Sequence, residues 1–392
     1  MSSEIVIAAA KRTPLGAFQG ALAPVTAPQL GSAAARAAVE AAGIRAADVQ
    51  EVILGCVLPA GLGQAPARQA AIGAGIPLAT PATTINKMCG SGLKAVMMAA
   101  DQIRAGGAEV VLAGGFESMT QAPYLLPKAR GGYRLGHGEV IDHMFLDGLQ
   151  SPFDGKLMGC FADATAARYG FTREQQDAFA AESVRRAITA VEGAFDAEIV
   201  PVTVKGRKGE ATVARDETPG TCDVRKIPSL RPAFGKDGTV TAASASSIAD
   251  GAAALVVMSG SAAQSLGVQP LARIVAQASH AQEPEWFTTA PVGAVRKVLA
   301  QLGWQSQDVD LYEINEAFAT VTLAAMQELE LDHARVNVNG GACALGHPLG
   351  ATGARILTTL LHALHHRGGK RGIASLCIGG GEAVAVAIEM IR

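Results

Sequence analysis

The 392-residue chain has no Cys-x-x-Cys pair, no basic block and no apolar run near the ~20 residues a membrane helix needs. Its six cysteines, Cys56, Cys89, Cys160, Cys222, Cys343 and Cys377, stand apart. Such scatter argues against a zinc site and against a disulfide framework. A reducing cytoplasm is the simplest setting, and neither a metal nor a permanently bound cofactor is expected. With a formal net charge of −2, a nucleic-acid partner has no electrostatic footprint. The N-terminus places Ile5-Val6-Ile7 ahead of Lys11-Arg12, the reverse of a signal peptide. The C-terminal Glu389-Met390-Ile391-Arg392 spells no targeting address. No Gly-x-Gly-x-x-Gly follows the first strand, which argues against a dinucleotide-dependent dehydrogenase.

What remains is a globular chain long enough for two or three domains, 49% hydrophobic and 17% charged. Glycine is abundant at 45 residues, against a usual share of about 7%, which implies many tight turns and close backbone approaches. Residues 1–118 alternate strand and helix signals, and a parallel sheet covered on both faces is expected. Residues 119–247 read as an insertion with its own small fold. It holds an aperiodic Met119–Asp154, helices over Cys160–Tyr169 and Thr172–Val191, the latter capped by Thr172, and a hairpin around Gly206-Arg207-Lys208-Gly209. Beyond residue 250 the opening pattern returns. Gly43-Ile44-(x)3-Asp48-Val49 recurs as Gly303-Trp304-(x)3-Asp308-Val309, at an offset of 260. The expected divisions are 1–118 plus 248–268, 119–247, and 269–392, with the first and last forming duplicated α/β halves.

The chemistry centres on Asn86-Lys87-Met88-Cys89-Gly90-Ser91-Gly92, where a strand or loop turns into a helix. N–H groups at a helix start favour an anion, so the Cys89 thiol is expected to ionise readily and act as a nucleophile. The alternative is a buried structural cysteine. In the second half Asn315-Glu316-Ala317-Phe318, Gly346-His347-Pro348 and Cys377-Ile378-Gly379-Gly380-Gly381 lie at strand ends or helix starts. Ligands of parallel sheets bind at such strand ends. His347 is the only histidine in that setting and the candidate partner of Cys89; the others are expected in polar loops or on helix faces. The glycines after Cys377 can form an anion-accepting nest, and Cys377 itself is a candidate to move a proton near working pH.

These stretches, with Arg12-Thr13-Pro14, Gly114-Gly115-Phe116-Glu117-Ser118-Met119, Arg231-Pro232-Ala233-Phe234 and Asn337–Gly353, resemble those of a thiolase over essentially the whole chain. The resemblance implies an α/β fold of duplicated halves in an α-β-α-β-α layering with an inserted loop domain. It implies reversible Claisen condensation and thiolytic cleavage between acyl-CoA and acetyl-CoA, through an acyl-cysteine intermediate. Coenzyme A is then substrate and product. Cys89 would carry the acyl group, His347 would activate it, and Cys377 would handle the α-proton. Asn315, through a water, and His347 would form one oxyanion site, and the N–H groups of Cys89 and Gly379 the other. Ser246, Phe234, Leu149, Leu157, Met158, Ala242, Ala317 and Phe318 match positions lining the CoA or acyl channel. Relatives are dimers or dimers of dimers, so a homodimer or homotetramer is expected, with the Met119–Leu146 region joining dimers.

Several positions depart from the pattern. Leu157-Met158-Gly159 stands where short-chain relatives have His-Met-Gly, and Gly220 where an arginine often touches CoA. Leu157 should make the pocket more apolar and favour longer or branched acyl groups. Competing readings are a ketoacyl-synthase-like condensing enzyme, against which Cys377 speaks, and a non-catalytic acyl-CoA-binding protein.

Overall fold

The computed structural model describes residues 4–206 and 209–391. The first half runs β1 (Ile5–Arg12), β2 (Gly16–Ala17), α1 (Ala27–Ala41), β3 (Glu51–Gly55), α2 (Pro66–Gly73), β4 (Ala82–Ile85), α3 (Ser91–Arg104) and β5 (Val110–Ser118). The insertion holds β6 (Tyr124–Leu125), β7 (Ile141–Asp142), α4 (Met158–Tyr169), α5 (Arg173–Val191), β8 (Val202–Gly206) and β9 (Gly209–Val213). Then come β10 (Ala249–Ser259), α6 (Gly260–Leu266), β11 (Ala272–Ala281), α7 (Ala290–Leu302), β12 (Leu311–Ile314), α8 (Ala319–Leu329), α9 (Ala342–Leu345), α10 (Leu349–Arg367), β13 (Arg371–Ile378) and β14 (Glu382–Met390). The expected hairpin is present as the antiparallel pair β8–β9; its turn residues Arg207 and Lys208 lie outside the described residues, as does Arg392.

The main sheet runs β12-β13-β14-β11-β1-β10-β5-β3-β4, with β2 paired to β10. It is mixed rather than parallel. The pairs β3–β4, β3–β5 and β12–β13 are parallel, while β10 runs antiparallel to both β1 and β5. The reason is connectivity. A helical crossover returns the chain in parallel, whereas β13 and β14 are joined by the tight glycine turn and must pair antiparallel. β10 enters only after the insertion, so no local signal sets its direction. Both β5 and β10 are buried along their whole length, which explains their mainly apolar character, with the polar residues Glu117, Ser118, Asp250 and Ser259 at their ends.

The duplication is visible residue by residue. Val52 pairs with Ala82 in parallel, and Tyr312, 260 positions after Val52, bridges Val336 in parallel. Gly43 and Gly303 take φ of +68° and +64° after α1 and α7. The N–H of Arg45 donates to Asp48 Oδ2 at 2.9 Å, and that of Gln305 donates to Asp308 Oδ2 at 2.8 Å. The halves join where Val6 and Ile7 of β1 pair with Arg273 and Ala272 of β11.

Five layers result. α1 and α2 cover one face of the first half through Leu30, Ala34 and Ala70 against Val52, Leu112 and Val256. α7 and α8 cover the outer face of the second half through Val295, Val298 and Val321 against Tyr312 and Ile373. Between the two halves of the main sheet lie α3 and α10, with Leu93, Val96, Ile356 and Leu360 packed against Val111, Leu255, Leu376 and Val386. The two central helices cross at glycine. A Cβ on Gly353 would lie 2.3 Å from Leu93 N, and one on Gly92 2.7 Å from Ala354 N. The insertion is anchored by Arg12 of β1, whose buried guanidinium pairs with Glu198 at 2.5 Å and Asp216 at 2.7 Å. Among the described residues no helix is long and apolar enough to cross a membrane.

Candidate active site

Cys89 lies in the turn between β4 and α3, two residues before the first helical residue. Ser91 shapes this turn: its hydroxyl donates to Met88 O at 2.7 Å and accepts from Lys87 N–H at 2.8 Å. Met88 is held at φ +48°, a conformation uncommon for a non-glycine residue. Gly90 is required by close packing, since a Cβ there would lie 2.4 Å from Ile378 Cδ1 at the end of β13. Lys87 forms an ion pair with Glu382 of β14. The Cys89 turn of the first half is therefore seated on the strand end that carries Cys377.

Cys377 is fully buried, and Gly380 and Gly381 turn the chain at φ +98° and +92°. The N–H groups of Gly379 and of Cys89 itself interact with the Cys89 sulfur. They lower its pKa, but burial outweighs them and pushes the thiol up to about 11. The expectation of a readily ionised Cys89 is overturned, because loss of water around the sulfur exceeds the pull of a few amides. Cys377 is likewise raised well above the ordinary thiol value, by burial first and then by the charge of a Cys89 thiolate. Its expected titration near working pH is overturned for the same reason. The two sulfurs lie close enough to interact, Cys377 buried and Cys89 half-buried, and both are protonated at rest.

The His347 loop enters as the counterpart of the Cys89 turn. His347 stands two residues before the first residue of α10, and the helix starts abut, with the Gly92 Cβ position 3.0 Å from Gly350 O. His347 Nδ1 lies 2.6 Å from the Thr352 hydroxyl, which donates to Pro348 O at 2.9 Å. Nε2 is buried without a protein partner. Burial, then the charge of Arg355, pushes the imidazole down to about 3, so it is neutral and its Nε2 carries a free lone pair. Asn315 follows β12, where its N–H donates to Ser375 O at 3.0 Å. Its side-chain oxygen and nitrogen are both buried and unpaired, an arrangement suited to a water or a ligand oxygen.

Glu117, at the end of β5, binds these parts together. Its carboxylate accepts from Val57 N–H at 2.9 Å, Leu58 N–H at 3.1 Å and Gly350 N–H at 2.9 Å, and the Cys56 thiol lies 3.5 Å away. Burial raises it to about 7 despite these donors. Sequence reasoning gave Glu117, Ser91 and Thr352 no role, although all three lie inside quoted motifs. A hydroxyl in a first helical turn looks like any other, and nothing local marks which strand-end carboxylate is enclosed.

The channel candidates divide between two clusters: Phe234, Phe318, Met158 and Ala317 in one and Leu149 beside another. Phe234 and Phe318 meet edge to face at 5.9 Å, and Phe234 packs where a Gly159 Cβ would be. Met158 Sδ lies 3.4 Å from the Gly379 Cβ position. Ser246 N–H donates to Ala317 O at 2.9 Å. Leu149 ends a single π turn, Phe145–Leu149, and packs in the cluster that touches Met88 and Cys89. Leu157 caps α4 and bridges Gln150. Ala242 is exposed beside buried Thr241. Two other histidines differ from expectation: His143 is buried and lies 2.6 Å from Asp147, and His280 lies on β11. Among the described residues no group of three or more His, Cys, Asp or Glu is placed to hold a metal ion.

Family models for the thiolase N-terminal domain and the thiolase C-terminal domain match residues 5–261 and 268–390. The chain is 52% identical to the acetyl-CoA acetyltransferase of Pseudomonas aeruginosa, over 98% of this chain and 99% of that one. It is 51% identical to the acetyl-CoA acetyltransferase of Escherichia coli K12, over 99% of each. The crystal structure of the Bacillus anthracis acetyl-CoA acetyltransferase superposes with a TM-score of 0.97 at 45% identity, over 100% of this chain and 99% of that one.

Proposed function

The chain belongs to the thiolase family and is an acyltransferase; from that premise we propose which side chains carry the reaction. The observation that supports the assignment best is the coupling of the Cys89 thiol, which meets the Gly379 N–H, to the buried Cys377 thiol, together with a buried imidazole whose Nε2 is unpaired.

In thiolytic cleavage, His347 Nε2 takes the Cys89 proton and the thiolate attacks the 3-keto carbon. The resulting oxyanion needs donors already in place. The alkoxide collapses, the C2–C3 bond breaks, and its electron pair passes to C2 of the departing acetyl-CoA. Cys377, a thiol at rest, protonates that carbon and becomes a thiolate beside the His347 imidazolium. Incoming CoA gives its proton to Cys377 and attacks the acyl-Cys89 carbonyl. The expelled Cys89 thiolate then recovers its proton from His347. Condensation is the reverse. The N–H groups of Cys89 and Gly379 serve one oxyanion, and Asn315 and His347 the other. A covalent acyl-enzyme implies ping-pong kinetics.

Phe234, Phe318, Met158, Leu149, Leu157, Ala317 and Ser246 are proposed to line the way in for the acyl and pantetheine chains, with Ala242 at its exposed rim. CoA and acyl-CoA are the proposed small-molecule partners. Exposed Tyr124, Leu126, Leu135 and Val140 in the arm of the insertion support assembly as a homodimer or homotetramer, which light scattering measures. Six free cysteines suit a cytoplasmic setting.

The test separates the two sulfurs. Cys89→Ala should abolish the burst of CoA on mixing with acetyl-CoA. Cys377→Ala should keep the burst but lose carbon–carbon chemistry. If Cys377→Ala still exchanged the α-protons of acetyl-CoA at the parent rate, the assignment of Cys377 would be wrong.

A further inference from the structure

We infer that Thr352 is a positioning residue which fixes the tautomer of His347, so that Nε2 is always the nitrogen offered to Cys89; the inference rests on the assignment of His347 as the base. Thr352 is fully buried in the first turn of α10. Its hydroxyl has one hydrogen, which goes to Pro348 O at 2.9 Å. The oxygen can then only accept from its other close neighbour, His347 Nδ1, at 2.6 Å.

In that arrangement every hydrogen in the group has an acceptor, and the one unpaired atom is the lone pair of Nε2. The opposite tautomer would turn the Thr352 hydrogen onto Nδ1 and leave an Nε2–H buried with no protein acceptor. Orphaned buried N–H groups are rarer than under-satisfied acceptors. The sequence of bonds also suits the cycle. Once Nε2 has taken the Cys89 proton, Nδ1–H still donates to Thr352, and the new Nε2–H becomes the donor for a substrate oxygen. A neutral hydroxyl holds the ring in both protonation states, whereas a carboxylate would stabilise the imidazolium and hold the proton on the ring.

The experiment compares Thr352→Val, which keeps the shape and removes the acceptor, with Thr352→Ser, which keeps the acceptor. The readout is the rate of the CoA burst with acetyl-CoA, alongside CoA affinity and melting temperature. Thr352→Val should slow the burst by about a hundredfold, the lower end of what a positioned base contributes, with CoA affinity unchanged. Thr352→Ser should stay within about threefold of the parent. Thr352→Ala carries the same expectation as the valine variant should valine fail to fold. A burst from folded Thr352→Val or Thr352→Ala within threefold of the parent overturns the inference, as does a serine variant no faster than valine. His347→Ala separates the two readings. If it keeps the burst, the assignment of His347 falls; if it loses the burst while Thr352→Val does not, only the role of Thr352 falls.

Discussion

Glu117→Gln is the perturbation that most directly tests how the site is held. Glu117 Oε2 accepts from the N–H groups of Val57 and Gly350, while Oε1 accepts from Leu58 N–H and faces the Cys56 thiol. A carboxamide keeps the shape but has one acceptor half and one donor half. Whichever way it turns, two donors meet an NH2 group. Each buried donor left unpaired costs about 1–3 kcal/mol, so the loss is about 2–6 kcal/mol. At about 2.1 cal/mol/K per residue, a chain of this length has an unfolding entropy of about 0.8 kcal/mol/K. The melting temperature should therefore fall by about 2–7 °C near neutral pH, measured by differential scanning fluorimetry. The pH trend adds a second check. Burial raises Glu117 from its ordinary 4.5 to about 7 in the folded protein. For an acid shifted upward, the unfolded chain gives up its proton first. The associated stability is fully present below 4.5 and is lost as pH rises through about 7. Glutamine has no such slope, so the gap between parent and variant should widen from pH 8 toward about pH 5. A melting temperature within about 1 °C of the parent, or a gap that does not change with pH, refutes the reasoning.

Three further outcomes are expected. Gly90→Ala places a methyl 2.4 Å from Ile378 Cδ1 and should lower kcat by at least about tenfold through displacement of Cys89; adding Ile378→Val should recover part of it, and no recovery would mean the damage lies elsewhere. Arg12→Met leaves the carboxylates of Glu198 and Asp216 buried without their cation and should cost about 3–5 kcal/mol, read as a lower denaturation midpoint. Apolar Leu157 should favour 3-ketohexanoyl-CoA over acetoacetyl-CoA in kcat/KM, and Leu157→His should move the ratio toward the shorter substrate; a strong parental preference for acetoacetyl-CoA would dispose of that idea.

What could be read from the chain alone was what is decided locally. The Thr172 cap of α5, completed by Gln175, and the repeat linking Gly43 to Gly303 are set by neighbours a few residues apart. The direction of β10 was not legible, because its partners β1 and β5 lie on the far side of the insertion or at the chain start. The protonation of Cys89 and Cys377 was misjudged for a related reason. The helix start beside Cys89 and the strand end at Cys377 are visible in sequence, but the burial that raises both thiols exists only once the chain is packed. His143 looked like a loop residue, yet it is enclosed with its ring 2.6 Å from Asp147, one turn on. The residues that hold the site, as opposed to those proposed to react in it, gave no separate signal: Ser91 and Thr352 bond within five residues, as many helix-start hydroxyls do, while Glu117 meets Val57, Leu58 and Gly350 only after folding.

Cys89 and His347 occupy the same station in the two repeats, each at the doorstep of a central helix. Were the two copies identical, that station would present the same side chain twice across the axis, two thiols or two imidazoles. One polypeptide carrying both copies lets each station differ, so here one holds a thiol and the other an imidazole. A thiol and an imidazole thus face the same architectural position on a framework that otherwise repeats.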